Sequence, residues 1–259
     1  MAINKKLIHF KNKENFNKEV ANENILDSSI VFIQDSKEIS THGTVYKSVN
    51  WSVLEKPELY EWVDLGLPSG LKWADKNVGA TKPEDFGLYF AWGETEGYSG
   101  ITDEKRFSWA DYKLCGGSYS TLTKYNTKSS SGTVDNLTTL EQVDDAAYQS
   151  DNTCRMPTKS DFEELTANTT SVWETLNGVN GIRFTSKTNG NSIFVPAAGG
   201  CLNYSVISVG SNGGLWSSSL GESYSRYAWY LSFGSDDVGM YDGGSRCNGL
   251  TVRAVKSNN

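Results

Sequence analysis

The residues that could do covalent or metal chemistry are few and lie far apart in the sequence. The chain has four cysteines and two histidines, and no two cysteines form a C-x-x-C pair. A structural zinc site takes four such ligands at close spacings, so we predict no metal and no cofactor, and we expect reduced thiols with no shared role. The six residues are Cys115, Cys154, Cys201, Cys247, His9 and His42.

The chain also has few residues that are placed to act as a general acid or a general base. Both histidines precede residue 47, so a Ser-His-Asp or Cys-His arrangement in the larger part of the chain would have no base. The carboxylate pairs are neighbours in sequence, and neighbouring side chains diverge on helices and strands alike. We therefore predict no enzymatic activity. The pairs are Asp144-Asp145, Glu163-Glu164 and Asp236-Asp237.

The stretch 234–248, GSDDVGMYDGGSRCN, suits a different kind of chemistry. In 224–248, 17 of 25 residues are Asn, Tyr, Asp, Ser, Gly or Cys, and apolar residues interrupt them in alternation. Side chains alternate between the two faces of a strand, so the apolar set predicts a face anchored in the core. Each such side chain contributes roughly 1.5–3 kcal/mol when buried. The predicted inward residues are Trp229, Leu231, Phe233, Val238 and Met240.

The residue types on the opposite face favour contact with a ligand. Tyrosine offers a large, rather rigid contact area, whereas Ser, Gly and Asn offer adaptable hydrogen bonds and close approach. The aspartates favour a partner that carries Lys or Arg. The alternative is a set of plain polar turns, for which the same residues are common. The predicted ligand-contacting residues are Tyr224, Ser225, Tyr227, Tyr230, Ser232, Gly234, Asp236, Asp237, Gly239, Tyr241, Asp242, Gly243, Gly244, Ser245, Cys247 and Asn248.

Composition limits the partners and the fold. The chain has 259 residues and a net charge of −7, and no basic stripe points to nucleic acid. No apolar run is long enough for a signal peptide or a membrane span, so we expect cytoplasmic synthesis and no membrane insertion. The 12% of aromatic residues and the 25 glycines indicate many short strands and turns.

Residues 1–47 are predicted to form a small α/β unit. Leu7, Ile8 and Phe10 begin a strand, and Asn12 caps a helix whose inner face carries Phe16, Val20 and Ile25. The apolar run 29–35 predicts a buried strand, and 37–46 predicts another with a turn at His42-Gly43. Residues 48–61 contain Pro57 and no clear periodicity, so we interpret them as a linker.

Residues 62–256 predict one larger α+β domain. Helices are expected over 138–147, with Leu140, Val143 and Ala147 on one face, and over 155–168, where Thr158 and Asp161 form a capping box. Residues 181–200 predict a hairpin that turns at Asn189-Gly190. A long surface loop is expected over 115–136, and the final strands lie in LWSSS, AWYLSF and GLTVRAV.

Several segments in this order resemble one protein family. They are VDLGLPSGLKWADKNVGA (63–80), EDFGLYFAWGET (84–95), DDAA (144–147), RMPTKSDFEEL (155–165), GNSIFVPAAG (190–199), GLWSSS (214–219) and GLTVRAV (249–255). Together they resemble the Fibrobacter succinogenes major paralogous domain family, which is common in gut Bacteroidetes and their phages. The resemblance implies a C-type lectin fold, which formylglycine-generating-enzyme-like proteins share.

Two further resemblances concern the ends of the chain. Residues 1–47 resemble a short module at the start of Bacteroides phage tail-associated proteins, which implies attachment to a virion. The end of the chain, about 213–255 and including Gly213 and Gly214, resembles the variable region of proteins diversified by retroelements. There an error-prone reverse transcriptase rewrites Asn codons, yielding Tyr, Asp, Ser, Gly, Cys, His, Arg and a few others. On this basis Cys247 is expected to be an outward thiol, whereas Trp216 and Ser217–Ser219 are expected to be structural.

The resemblances imply a receptor-binding protein of a phage or prophage tail, located in the virion or in the bacterial cytoplasm before assembly. Its partner would be a host-surface protein or glycan, and it could be oligomeric. One alternative is a cell-surface or secreted adhesin with a fixed ligand. Another is an oxidase, for which Cys201 and Cys247 would have to meet. A calcium-dependent sugar binder is disfavoured, because the chain has no Glu-Pro-Asn or Gln-Pro-Asp motif.

Overall fold

The computed structural model describes residues Leu7–Phe10, Ile30–Ile33, Glu38–Thr41, Thr44–Tyr46 and 59–257. The chain divides into two compact units, Met1–Glu58 and Leu59–Asn259, and the division falls inside the predicted linker 48–61. Among the described residues no helix combines the length and the apolar character that crossing a bilayer requires.

The first unit contains a four-stranded sheet in the order β1-β2-β3-β4. β1 (Leu7–Phe10) runs parallel to β2 (Ile30–Ile33), and β2 and β4 (Thr44–Tyr46) both run antiparallel to β3 (Glu38–Thr41). These strands lie where the apolar runs predict them. The predicted helix with Phe16, Val20 and Ile25 and the turn at His42-Gly43 lie outside the described residues.

The second unit is built mainly of short strands arranged in four sheets. Their orders are β15-β14-β13-β16-β7, β10-β9-β8, β17-β6-β5 and β11-β12. The strands are β5 (Trp62–Asp64), β6 (Lys72–Asn77), β7 (Tyr89–Phe90), β8 (Thr169–Leu176), β9 (Val179–Ser186), β10 (Ser192–Pro196), β11 (Gly200–Leu202), β12 (Ser205–Ile207), β13 (Asn212–Leu220), β14 (Tyr227–Gly234), β15 (Val238–Ser245), β16 (Leu250–Thr251) and β17 (Arg253–Lys256). The described part of the chain is therefore α+β with strands dominating, as predicted.

Within residues 59–257 two α-helices accompany the strands. α2 (Lys159–Asn168) has Thr158 as its N-cap and Asp161 as the reciprocal partner, and it buries Phe162 and Leu165, so this helix is confirmed. The helix predicted over 138–147 is largely wrong, because α1 covers only Ala146–Ser150. The Asp145 carboxylate accepts the backbone N–H groups of Ala147 and Tyr148, which makes it the N-cap where the helix begins.

The predicted hairpin is formed by β9 and β10. Ile182 lies opposite Val195 and Phe184 opposite Ile193, and all four are buried. The connection is longer than a two-residue turn, and of the pair Asn189-Gly190 only Gly190 has a positive φ, +76°. The Asn189 side-chain amide instead donates to the Asp64 carbonyl oxygen at 3.0 Å.

The five-stranded sheet is covered on both faces near its centre. On the side of α2, Leu231 and Phe233 pack in a cluster with Trp73 and Phe162. On the other side, Trp216 packs in a separate cluster with Trp92 and Tyr125. Tyr125 belongs to the predicted loop 115–136, which is mostly irregular but buries part of its length. β15 is the edge strand of this sheet, so its outer side is where the sheet meets solvent.

Candidate functional site

The β14–β15 hairpin divides its residues by side, as the alternation predicts. Leu231 pairs with Met240 and Phe233 pairs with Val238 across the two strands. Leu231 and Phe233 are buried, and Val238 and Met240 are partly buried against the same cluster. Trp229 is half-buried on this side, where the Lys159 ammonium at the start of α2 lies 3.9 Å from its ring centroid. The apolar set therefore anchors the hairpin to the α2 side of the core.

The hairpin's polar end is open to solvent. Asp236, Asp237 and Tyr241 are exposed, and Gly239 and Ser232 are half-buried. The Tyr241 hydroxyl donates to Asp237 Oδ2 at 2.9 Å, and this hydrogen bond, together with the nearby negative charge, raises the pKa of Tyr241. We call Asp236, Asp237, Gly239 and Tyr241 the hairpin surface. It presents an aromatic ring beside two carboxylates.

Tyr230 is less exposed than predicted. A register irregularity lies between Ala228 and Tyr230, and the Tyr230 ring packs edge-on against Trp216 with a centroid distance of 5.9 Å. Burial raises the pKa of Tyr230. Its second neighbour is Tyr241, 6.0 Å away between ring centroids. Tyr230 therefore packs between Trp216 and Tyr241 of the hairpin surface, and only part of its ring is accessible to a ligand.

Four predicted contact residues are buried, which corrects their assignment: Ser225, Gly234, Gly244 and Cys247. The Ser225 hydroxyl accepts the Thr127 backbone N–H at 3.1 Å and so joins two loops. Gly234 is buried, and a Cβ added there would lie 2.9 Å from the side-chain amide nitrogen of Asn212, so that side chain would have to move. All four positions serve the fold.

Gly244 and Cys247 show most clearly why composition misleads here. A Cβ on Gly244 would lie 2.6 Å from the Trp216 ring, so the glycine leaves space for the indole. Cys247 was expected to point outward, but it packs with Phe107 and Tyr112, and burial raises the pKa of its thiol to about 12. Neither residue can contact a ligand in this structure.

The predicted extension of the variable region to Gly213 and Gly214 is also wrong. Both glycines are buried in β13, and a Cβ on Gly213 would lie 2.0 Å from the Phe233 ring. Trp216 is fully buried with its indole N–H donating to the Phe90 carbonyl oxygen at 2.8 Å, in agreement with its expected structural role.

Asp242 is half-buried, and its carboxylate is hydrogen-bonded to other groups of the protein. Its carboxylate accepts the backbone N–H groups of Glu222 and Ser223 at 3.0 and 2.9 Å, and the Ser223 hydroxyl at 2.7 Å. It therefore holds the loop that precedes β14. Of the remaining predicted residues, Tyr227 and Ser245 pair across the hairpin's far end, Asn248 is half-buried, and Gly243 and Tyr224 are exposed.

Arg246 is the main residue that the sequence analysis missed. It is fully buried, and its guanidinium lies 4.9 Å from the Trp92 ring centroid. It donates to the Tyr112 hydroxyl and to three backbone carbonyl oxygens, those of Lys124, Tyr125 and Ser225. One side chain thus ties the 115–136 loop to the segment before β14. No short-range sequence signal distinguishes it from a surface arginine.

A second surface cluster surrounds Arg226, which the sequence analysis did not include. Its guanidinium carbon lies 5.2 Å from the Tyr119 ring centroid, 4.6 Å from that of Tyr224 and 5.0 Å from that of Tyr227. We call these four residues the arginine–tyrosine cluster. Arginine is among the products of a rewritten Asn codon, so position 226 could have been included on that signal. Tyr119 belongs to the distant 115–136 loop, and no signal in the sequence could have placed it beside Arg226.

The cysteines required by the oxidase alternative lie in one core cluster. Cys201 and Cys247 pack together with Tyr89, Phe107 and Tyr112. Burial raises the pKa of the Cys201 thiol to about 12, as it does for Cys247. Nucleophilic attack requires a thiolate, and in the absence of a metal this environment favours the protonated thiols.

The chain matches no protein-family profile, no curated protein and no solved structure.

Proposed function

We propose that this protein is a ligand-binding protein in which a C-type-lectin-like domain displays retroelement-diversified side chains. The observation that carries the proposal is the division of β14–β15 by side. Leu231 and Phe233 lie in the core, while Asp236, Asp237 and Tyr241 face solvent. Such an arrangement allows the exposed side chains to change with little effect on the folding free energy.

The structure narrows the set of residues that would vary. Positions 225, 234, 244 and 247 are buried, and replacing them would disturb packing. The proposed variable surface therefore consists of the hairpin surface, the exposed Gly243, and Tyr224, Arg226 and Tyr227 of the arginine–tyrosine cluster. Tyr119 lies outside 213–255 and would be a constant neighbour of this surface. Its residue types are those of antibody loops, in which tyrosines supply rigid contact area and small polar residues adapt.

The first unit is proposed to attach the protein to a larger assembly, a phage or prophage tail. This part of the proposal rests on the resemblance of residues 1–47 and on the separation of the chain into two compact units. The partner of the second unit would be a protein or glycan on the host surface, and the domain would do no chemistry.

Sequencing the DNA that flanks the gene tests the proposal. We expect a near-copy of the codons for about 213–255 beside a reverse-transcriptase gene, with adenines in the copy wherever the two differ. The differences should fall on codons of exposed residues such as Asp237 and Tyr241. Codons of buried residues such as Gly244 and Arg246 should be identical in both. A unique locus without such a copy would contradict diversification and leave an adhesin with a fixed ligand.

A further inference from the structure

Arg226 has its hydrogen-bonding groups unused. Within residues 59–257 its guanidinium makes no hydrogen bond and no ion pair, although three tyrosine rings surround it at 4.6–5.2 Å from their centroids. A guanidinium carries five N–H donors in a planar fork. Stacking on tyrosine faces holds this fork in place without consuming its donors. The side chain is therefore positioned and half-buried, yet free to donate.

The surroundings of Arg226 are rigid. Tyr224 and Tyr227 pack edge-to-face with their ring centroids 6.0 Å apart, and Tyr119 packs against Trp109 at 6.3 Å. Asp242 binds the loop that precedes Tyr224, and Ser225 of the same loop is hydrogen-bonded to Thr127. A ligand that binds here pays little entropy to order the protein side of the site.

The electrostatic environment is locally positive in a chain of net charge −7. The Lys128 ammonium lies 5.1 Å from the Tyr224 ring centroid and donates to the Ser223 carbonyl oxygen at 2.7 Å. The nearby carboxylates are engaged elsewhere, Asp242 with backbone N–H groups and Glu222 with Lys159 at 2.9 Å. Among residues 59–257, neither Arg226 nor Lys128 forms an ion pair with a carboxylate, and both lie beside the Tyr224 ring.

These features suit a ligand that consists of a sugar ring bearing one carboxylate. A guanidinium fork binds a carboxylate bidentately, and the half-exposed rings of Tyr119 (49%) and Tyr224 (51%) offer faces and hydroxyls to a pyranose. The chain's net charge of −7 disfavours a polyanion. A peptide cannot add to β14 itself as a further strand, because β14, which follows Arg226, is paired on both edges.

We propose that the arginine–tyrosine cluster is a binding site for a singly charged, carboxylated sugar such as a terminal uronic acid. The proposal rests on the proposed function, since it names the ligand chemistry of part of that surface in this particular sequence. Arg226 receives the carboxylate, and Tyr119 and Tyr224 contact the sugar ring. The hairpin surface, which carries Asp236 and Asp237, lies at the other end of β14 and takes no part in binding the anion.

The test uses the full-length protein and two matched probes, methyl β-glucuronoside and methyl β-glucoside, which differ in the carboxylate. Their affinities are measured by ligand-observed NMR titration. We expect the glucuronoside to bind at least about tenfold more tightly than the glucoside, as a charge-assisted bidentate pair implies. Arg226→Gln should remove that preference, and Arg226→Lys should restore only part of it, because an ammonium lacks the planar fork.

Lys187→Gln is the control, because it removes the same charge in the connection between β9 and β10, and it should leave both affinities unchanged. Unaltered tryptophan fluorescence of each variant confirms that it is folded. Equal binding of the two sugars, or an Arg226→Gln variant that keeps the preference, would overturn the proposal. Tighter binding of a sulfated sugar or of an acidic peptide would overturn it too. If the protein does not prefer the glucuronoside but the diversifying locus is present, only the assignment of the ligand is refuted. If the protein binds the glucuronoside but no such locus exists, only diversification is refuted.

Discussion

Two adjacent glycines in β15 provide a matched pair that separates scaffold from variable surface. Gly243 and Gly244 are both in the predicted ligand-contacting set, and their backbones both lie outside the left-handed region. An added Cβ on Gly243 meets nothing within 4 Å. On Gly244 it would lie 2.6 and 2.7 Å from two Trp216 ring carbons and 2.9 Å from Tyr230 Cδ1. The perturbation is therefore Gly244→Ala, with Gly243→Ala as its control.

The expected magnitude follows from the contacts. Trp216 is fully buried, and its indole N–H is bound to the Phe90 carbonyl oxygen, so the ring cannot move away without cost. Overpacking of this kind costs about 1–3 kcal/mol. Replacing glycine by alanine also reduces the entropy of the unfolded chain, which stabilises by about 0.4–1 kcal/mol where the backbone is compatible. Because both variants share this gain, their difference in unfolding free energy should be about 1–3 kcal/mol.

Urea unfolding of the full chain, followed by tryptophan fluorescence, measures this difference. Seven of the eight tryptophans lie in the second unit, so the signal reports mainly on the domain that contains both glycines. We expect Gly243→Ala to equal or slightly exceed the parent and Gly244→Ala to unfold at lower urea. Equal midpoints for the two variants would refute the reasoning that position 244 belongs to the scaffold.

Four further predictions concern the scaffold. Arg246→Met should lower the unfolding free energy by about 3–5 kcal/mol in the same assay, because three buried carbonyls lose their donor; a loss below about 1 kcal/mol would contradict its anchoring role. A thiol reagent at pH 8 should label Cys115 before Cys247, and labelling of Cys247 at the rate of an exposed thiol would show that it points outward. The pKa of Cys247 is about 12 in the folded state against an ordinary 9.0, so above about pH 9 the thiol loses its proton more readily in the unfolded chain. The contribution of Cys247 to the unfolding free energy is therefore complete below about pH 9 and is lost as the pH rises toward 12. Cys247→Ala should reduce this loss of stability at alkaline pH. Thr158→Ala should cost about 1 kcal/mol through loss of the α2 N-cap, whereas Thr158→Ser should retain most of it.

Local patterns predicted those elements whose signals are local. The capping box of α2 and the alternation of Leu231 and Phe233 both depend on neighbouring residues, and both are confirmed. The helix predicted over 138–147 starts too early, because the periodicity of its apolar residues ignored Asp145, which is the N-cap of the helix Ala146–Ser150. Where a side chain's role is decided within one turn or one strand, the sequence is sufficient.

Residues whose roles depend on distant partners could not be placed from the sequence. Gly244 and Cys247 resemble a variable surface in composition, but Trp216 and Phe107 decide that they are buried. The Arg246 guanidinium donates to the carbonyl oxygens of Lys124 and Tyr125, which lie more than 100 positions away in the 115–136 loop. These contacts form only when the chain folds. Composition alone therefore predicted Gly244 and Cys247 to be exposed, although they are buried.

The most direct test of the account is to compare two libraries of the full chain, each randomised with the residues that rewritten Asn codons encode. One library varies exposed positions and the other varies buried ones, and the protease-resistant fraction of displayed protein measures folding. The exposed positions are Tyr224, Asp236, Asp237, Tyr241 and Gly243, and the buried positions are Ser225, Leu231, Phe233, Gly244 and Arg246. We predict that most members of the first library resist protease and that few of the second do. Equal resistance of the two libraries would contradict the claim that the buried residues in and beside the β14–β15 hairpin maintain the fold while the exposed ones are free to vary.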